Sequence, residues 1–242
     1  MSQNVQVDRT LTFRGDAEQE ANVVGPMMTV RKTIKDEFMG DTLDANLWTA
    51  TTDGSNDTVA ISEIAGGTCL ITTGEIDDDV SFLSGPIIFN GSKKAEVEFR
   101  IGVTDISGTN IFVGFSDAKS ETSVLAAAYP ADALTATATD FAGFVLDPDH
   151  GASLMCVANA DGTNDQVVDS GIDWEDNALH NLRVKLTDAR ADFFVDGIQK
   201  ASIAAGPTAA TLLCATVQAG TRADDNQNTV LVQRYNAWVD AT

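Results

Sequence analysis

Basic residues are scarce in this chain of 242 residues. Lys and Arg number 15 against 36 Asp and Glu, which gives a formal net charge of −21 at pH 7. A nucleic-acid-binding module needs a basic face for the phosphate backbone, so this composition argues against DNA and RNA as partners. The chain also lacks an apolar run of the roughly 18 residues that a membrane helix needs, so no membrane span is predicted. The acidity is typical of a solvated surface that resists aggregation, or of adaptation to salty surroundings.

Cysteine and histidine are also few. Cys69, Cys156 and Cys214 stand singly inside apolar runs, without the paired spacing that zinc or a redox dithiol requires. We expect three small buried hydrophobic side chains, reduced as in a cytosolic protein, although a disulfide between two of them stays open. The two histidines, His150 and His180, accompany no Gly-x-Ser-x-Gly nucleophile elbow, so no pattern nominates a Ser-His-Asp set.

The chain is rich in short runs of β-strand character separated by Gly, Asn, Asp or Ser. Leu182, Val184 and Leu186 alternate with charged residues, which points one face at a core and the other at water. Asp196 and Gly197 supply the turn of a tight hairpin. The sequence predicts an all-β fold, a two-sheet antiparallel sandwich or jelly roll, from twelve such runs: 59–64, 68–73, 80–83, 95–103, 111–115, 141–146, 153–158, 182–186, 192–195, 198–203, 212–217 and 230–239.

Two of these runs are apolar on both faces. They are IFVGF at 111–115 and FAGFVL at 141–146. Strands of this kind belong in the middle of a sheet, covered on one side by the opposing sheet and on the other by loops or by a partner molecule. Only the alanine-rich stretch 121–139, interrupted by Pro130, can hold a helical turn or two.

The amino-terminal segment differs from the rest of the chain. Residues 1–33 are polar, and we interpret them as an arm that is extended or ordered against a neighbouring subunit, ahead of a sandwich over 34–242. An exchanged arm predicts a homo-oligomer, either a trimer or a dimer. The arm shows no basic region followed by an apolar region, so we expect synthesis in the cytoplasm without a signal peptide.

Four longer motifs follow one another along the chain. They are DEFMGDTLDANLW (36–48), AEVEFRIGVTDISGTNIFVGFSDA (95–118), HNLRVKLTDARADFFVDGIQ (180–199) and VLVQRYNAWV (230–239). Their order resembles that of the concanavalin A-like lectin/glucanase superfamily. In its FVGFSDA and FFVDG stretches the chain most closely resembles the laminin G-like modules found among bacteriophage virion proteins. The resemblance covers about residues 35–240 and implies two antiparallel sheets in a jelly-roll sandwich.

The resemblance also raises the question of catalysis. Laminarinase-like glycoside hydrolases of this superfamily place a Glu-x-Asp-x-Glu run on one strand, so that all three carboxylates share the concave face. The one similar run here, Glu75 to Asp79, ends in a shorter acid and precedes the EVEFR strand, whereas the hydrolases place theirs after it. We therefore predict that the chain is not an enzyme and that EIDDD is an acidic turn.

Two kinds of binding site can be nominated. Calcium prefers hard oxygen ligands gathered in loops, and laminin G-like modules sometimes hold one at the sandwich edge. The candidate ligands form two clusters, weighed against ordinary solvated turns, namely Asp77, Asp78 and Asp79, and Asp147, Asp149 and Asp161. For a glycan we nominate Trp174 in the GIDWEDN loop as an exposed aromatic, and we assign Trp48 and Trp238 to core packing.

Three functions follow from these expectations. The first is a non-enzymatic virion structural protein, a bacteriophage capsid decoration or cement protein, which implies a major capsid protein or another virion protein as partner. The second is a glycan-binding adhesin of a phage head or tail fibre, which recognises a cell-surface glycan. The third, and least favoured, is a laminarinase-like hydrolase.

Overall fold

The sandwich predicted from the sequence is confirmed. The computed structural model describes residues 30–241, apart from 55, 65, 120–124, 189 and 223–226. Two antiparallel sheets pack face to face, as in a concanavalin A-like jelly roll. Within the described residues, no helix is long and apolar enough to cross a membrane.

The first sheet contains eight strands in the order β15-β14-β13-β6-β17-β4-β3, with β1 paired to β17. Their bounds are β1 Val30–Asp36, β3 Thr58–Ser62, β4 Thr68–Thr72, β6 Glu96–Val103, β13 Leu179–Thr187, β14 Arg190–Val195, β15 Ile198–Ile203 and β17 Thr229–Ala241.

The second sheet contains seven strands in the order β12-β11-β10-β7-β16-β5-β2. Their bounds are β2 Thr49–Thr52, β5 Val80–Ser84, β7 Thr109–Ser116, β10 Phe141–Leu146, β11 Ser153–Asn159, β12 Gln166–Asp173 and β16 Cys214–Thr221. A small ribbon is formed by β8 Ala127–Ala128 and β9 Thr135–Ala136, and single 3-10 turns lie at Gly91–Lys93 and Pro130–Asp132.

All twelve predicted runs overlap strands, and β10 and β15 match their runs residue for residue. The sequence pattern missed the short strands β2, β8 and β9. It also missed β12, because this edge strand is largely exposed and carries no alternating apolar face. Part of the predicted arm lies within the described residues. Residues 30–33 already belong to β1, which pairs with Trp238–Ala241 of β17, while residues 1–29 lie outside the described part of the chain.

The main core lies between the two sheets, and the opening motif of the resemblance closes one end of it. Asp36 accepts a hydrogen bond from Trp48 Nε1 at 2.7 Å and another from the Phe38 amide at 2.7 Å. The Trp48 ring meets Tyr235 edge to face, with the ring centroids 4.7 Å apart. Trp48 therefore packs in the core, as predicted.

A second apolar cluster lies on the opposite, outer face of the second sheet. Phe112 and Phe141 are fully buried there, and their rings meet edge to face with centroids 6.0 Å apart. They are covered by residues 125–140, here called the cover segment, which contains the β8–β9 ribbon. The two predicted mid-sheet strands, β7 and β10, are thus apolar on both faces because one side meets the main core and the other meets the cover segment.

The cover segment is also held by hydrogen bonds to the sheet beneath it. Gln218 is fully buried on β16, and its Oε1 atom accepts a bond of 2.7 Å from the Ala126 amide. Within the segment, the amides of Thr137 and Ala138 donate to the Ala126 carbonyl at 3.1 and 3.2 Å. A buried amide side chain without such a partner would cost about 1–3 kcal/mol, so Gln218 fixes where the segment lies.

Candidate functional site

A pocket of about 260 Å³ opens at one end of the cover segment, above the outer face of the second sheet. Its apolar wall consists of Val80, Leu125 and Ala128, and its polar wall includes Asp78, Asn110, Thr135, Thr137 and Arg222. These residues come from the turn between β4 and β5, from β5, β7 and the loop after β16, and from the cover segment. A pocket of this size with converging donors and acceptors is a suitable place for a small polar ligand.

Arg222 is the charged centre of the site. Its Nη1 lies 2.9 Å from Asp78 Oδ1, its Nη2 lies 3.6 Å from Asp147 Oδ2, and its Nε lies 3.5 Å from Asp149 Oδ2. Burial lowers the pKa of Arg222, but the charges of Asp147, Asp78 and Asp149 outweigh that effect and raise it. The guanidinium therefore stays protonated, and three carboxylates around one cation leave the site with a negative charge.

Asp147 anchors this cluster to the fold. Its side chain is fully buried, and its Oδ2 atom also accepts a hydrogen bond of 3.1 Å from the Tyr129 amide in the cover segment. Next to it, the Tyr129 ring meets the His150 ring edge to face at 4.7 Å, and His150 Nδ1 lies 2.5 Å from Asp132 Oδ1. The site and the cover segment are therefore parts of one connected structure.

Asn110 supplies the unused polar group of the pocket. The residue is 5% exposed, and its Oδ1 atom is buried without a hydrogen-bond partner among the described residues. It packs against Gly220, where a Cβ atom would lie 2.3 Å from Oδ1. An unpartnered buried amide is costly and needs an explanation, and a ligand or water in the pocket would provide one.

The two predicted calcium clusters do not form as separate groups in the structure. Asp78, Asp147 and Asp149, taken from both clusters, converge on Arg222 rather than on a shared vacant position. Asp161 lies instead in the turn where the Gly162 amide donates to the Thr139 carbonyl. Over the part of the chain that the structure describes, no group of three or more His, Cys, Asp or Glu side chains is placed to hold a metal ion.

Asp79 belongs to a different acidic group. Its Oδ2 atom accepts a hydrogen bond of 3.2 Å from the Ile76 amide, while Asp57 accepts one of 2.6 Å from the Gly54 amide. Desolvation raises the pKa of Asp79, the Ile76 amide lowers it, and the neighbouring charges of Asp57 and Asp53 raise it further. The net result is a raised pKa of Asp79, which is the expected response of a carboxyl group that is desolvated and faces other carboxylates. The EIDDD run lies in the turn between β4 and β5, as the sequence indicated.

The strands of the second sheet contain few acids. Six of the seven, all except β12, carry no Asp or Glu. The strand that follows EVEFR is β7, the position at which the resemblance places the carboxylates of the hydrolases, and its outward side chains are Asn110, Phe112 and Ser116. A retaining glycosidase needs two carboxyl groups about 5–5.5 Å apart in this position.

The predictions that Trp174 is exposed and that Trp238 packs in the core are both wrong. Trp174 is 1% exposed and packs in the main core, with its ring against His180 at a centroid distance of 4.8 Å, so it presents no surface to a glycan. Trp238 was assigned to the core but is half-buried on the outer face of the first sheet. Two-residue alternation explains this orientation. Tyr235 and Ala237 point into the core, so Trp238, the next residue along β17, points outward.

Comparison with known proteins points to the fold. No family model matches the chain, and no curated protein matches it either. A structure from work on endo-acting O-glycanases that human gut bacteria express to initiate mucin breakdown covers 86% of this chain and 99% of its own, with TM-score 0.62 and 11% identity. The carbohydrate recognition domain of Emp47p covers 86% and 95%, with TM-score 0.58 and 14% identity.

A third similar structure is LamA of Z. galactanivorans, an E269S variant in complex with laminaritriose and laminaritetraose. It covers 85% of this chain and 97% of its own, with TM-score 0.60 and 10% identity. At such low identities the likeness extends to the fold and no further. The chain therefore has the concanavalin A-like jelly-roll sandwich that these lectin and glucanase-type structures share.

Proposed function

We propose that this chain is a non-catalytic structural protein of a bacteriophage virion, a decoration or cement protein that displays its sandwich on the capsid. The virion assignment is supported by the FVGFSDA and FFVDG motifs, which resemble laminin G-like virion modules. The observation that carries the non-catalytic assignment is the covered outer face of the second sheet. There, Phe112 and Phe141 lie fully buried beneath the cover segment.

The distribution of carboxylates supports the same proposal. The described strands offer one pair of glutamates two residues apart on one face, Glu96 and Glu98 of β6. Glu96 is ion-paired to Arg31 at 3.1 Å, and Glu98 to Arg234 at 2.9 Å. Both glutamates are held by cations on a sheet face, whereas the acid of a hydrolase lies beside the bound sugar with a second carboxyl group across the scissile bond.

The state of the cysteines is consistent with synthesis in a reducing cytoplasm. All three are free and buried. As a decoration protein, the chain has a major capsid protein or another virion protein as its partner, and it self-associates as a dimer or trimer. The virion role is tested by raising antibodies against the recombinant chain and combining immunogold microscopy with mass spectrometry of purified particles. Absence of the chain from particles that carry its gene would refute the role.

The non-catalytic assignment has its own test. The full chain is incubated with laminarin and with mucin O-glycans, and reducing ends are measured over many hours. We expect no release above that of the buffer. Release that is retained by the wild type and lost in Glu75→Gln or in Asp78→Asn would show that the chain is a hydrolase.

A second candidate function is glycan binding, and the Arg222 pocket is the observation that favours it. The pocket combines the Asp78 carboxylate as an acceptor, the Arg222 guanidinium as a donor and Asn110, whose Oδ1 atom has no partner, a set that matches the hydroxyl groups of one sugar unit. A glycan array followed by calorimetry tests it with Asn110→Ala and, as a control away from the pocket lining, Asn46→Ala. Binding that is lost only in Asn110→Ala supports the pocket, whereas equal binding by both variants excludes it.

A further inference from the structure

Charge is strongly segregated between the two sheets. Of the 15 Lys and Arg residues in the chain, nine lie on strands of the first sheet. The seven strands of the second sheet carry none. A protein with a net charge of −21 thus concentrates its cations on one side of the sandwich.

Most of these cations lie on the outer face of the first sheet. On β6, Val97, Phe99 and Ile101 point into the core, so alternation places Arg100 outside. The strand registers place the remaining side chains on the same face. This face, here called the cationic face, has seven cations against four carboxylates, a net charge of +3. Its cations are Arg31, Lys35, Arg100, Arg183, Lys185, Arg190 and Arg234, and its carboxylates are Glu96, Glu98, Asp192 and Asp240.

Several cations on this face are already held in place by the protein. Glu96 lies 3.1 Å from Arg31, 3.7 Å from Lys185 and 3.8 Å from Arg183. The Arg183 guanidinium also lies over the Phe194 ring, 4.0 Å from its centroid. One carboxylate shared by three cations leaves the surrounding surface positive and the side chains ordered.

The side chains of Arg100 and Lys35 have no ion pair or hydrogen bond among the described residues, and Arg100 is the one that faces a second guanidinium. It lies directly opposite Arg234 on β17 and opposite Asn181 on β13. Arg234 donates to Glu98 and to Asn181 Oδ1, both at 2.9 Å, so Glu98 pairs with Arg234 and leaves the facing Arg100 without a carboxylate partner. The Nε atoms of Arg100 and Arg234 are buried without an acceptor. Like charges directly opposite across two strands destabilise a sheet, and an anion between them removes the cost.

We propose that Arg100 and Arg234 form an oxyanion-binding site for the carboxylate or sulfate groups of an acidic polysaccharide. The planar fork of a guanidinium matches a carboxylate or sulfate through two parallel hydrogen bonds. The site lies on the sheet opposite the Arg222 pocket and does not depend on the virion assignment.

A polysaccharide is favoured by the neutral groups on the same face. Asn236 and Trp238 follow Arg234 along β17 and share its outward direction. An amide suits sugar hydroxyls and a half-buried indole suits a sugar ring. Trp238 lies four residues beyond Arg234, a separation of about 13 Å along the strand, which a short oligosaccharide spans.

The net charge of the whole chain does not prevent this binding. At physiological ionic strength charges are screened beyond about 8 Å. The cationic face extends over five strands, β14, β13, β6, β17 and β1, or about 19 Å from the first strand axis to the last. An anion near Arg100 therefore experiences mainly the local positive charges.

The test compares an acidic saccharide with a neutral one. Binding of oligogalacturonate and of a neutral glucan of equal length is measured by calorimetry for the full-length wild type, Arg100→Gln and Lys119→Gln. The control variant makes the same change of charge beyond the end of β7 in the second sheet. We expect the wild type to bind only the acidic saccharide, Arg100→Gln to bind it at least tenfold more weakly, and Lys119→Gln to bind within twofold of the wild type.

Further measurements separate the alternatives. Sulfate is expected to raise the melting temperature of the wild type more than that of Arg100→Gln. Arg100→Lys is expected to bind the saccharide with intermediate affinity, because it keeps the positive charge but loses the planar fork of the guanidinium. Equal saccharide binding by the wild type and Arg100→Gln, or none by the wild type, would overturn the proposal. So would sedimentation showing a salt-sensitive oligomer that Arg100→Gln dissociates, because the site would then be occupied by a second copy of the chain.

Discussion

Substituting Phe112 by alanine tests whether the outer face of the second sheet is closed. Phe112 is fully buried between Phe141, the cover segment and the backbone of Gly143. Removing a buried phenylalanine costs about 3–5 kcal/mol through lost transfer energy and the cavity left behind. If the cover segment did not shield this face, Phe112 would be exposed and its loss would cost less than about 1 kcal/mol. The two descriptions therefore differ by several kcal/mol.

Urea unfolding measures this difference directly. With a slope of about 3 kcal/mol per M, expected for a chain of this size, the Phe112→Ala midpoint falls by about 1–1.7 M. The matched control is Phe144→Ala, because Phe144 is equally buried and meets Phe193 edge to face in the main core. We expect the two variants to be destabilised similarly. A full loss in Phe144→Ala together with a negligible loss in Phe112→Ala would refute the closed face.

Three further predictions concern the same architecture. Gly143→Ala should cost about 1–3 kcal/mol by overpacking, because the new Cβ would lie 2.7 Å from the Phe112 ring; unchanged thermal stability would contradict this. Asp147→Asn should destabilise the fold by about 1–3 kcal/mol in urea unfolding, since it removes a buried charge beside Arg222. An unchanged free energy of unfolding would show that Asp78 and Asp149 suffice to balance the charge of Arg222. Burial raises the pKa of each cysteine thiol to about 12. Above pH 9 the thiols of the unfolded chain therefore ionise while those of the folded protein stay protonated, and the free energy of unfolding falls by up to about 1.4 kcal/mol per pH unit per thiol. Cys156→Ala should reduce that slope in unfolding measured from pH 8 to 10.5, and an unchanged slope would contradict the burial of its thiol.

Much of the fold could be predicted because two-residue alternation reports which face of a strand is buried. Leu182, Val184 and Leu186 all point into the main core, as their spacing requires. The apolar runs of β7 and β10 likewise indicate, from the amino-acid pattern alone, that a second layer covers this sheet. What the pattern could not identify is which segment supplies that cover, because the cover segment is rich in alanine and carries no periodic signal of its own.

The candidate site was less predictable. Asp78 and Asp147 are 69 residues apart in sequence, and they meet at Arg222, a cation in the loop after β16 that is distant in sequence from both clusters. Sequence distance groups acids that are neighbours along the chain, whereas the fold brings together residues from different turns. Asn110 lacked any signal, because a buried asparagine is recognisable only from the absence of a partner in three dimensions.

Amide hydrogen exchange most directly tests the claim that the cover segment is a permanent part of the sandwich. The Ala126 amide bonds to Gln218, and the Ala138 amide bonds back to Ala126. We predict that both exchange with opening free energies close to those of amides in β7 and β10. Exchange of both at the rate of a free loop, while β7 and β10 stay protected, would contradict the claim.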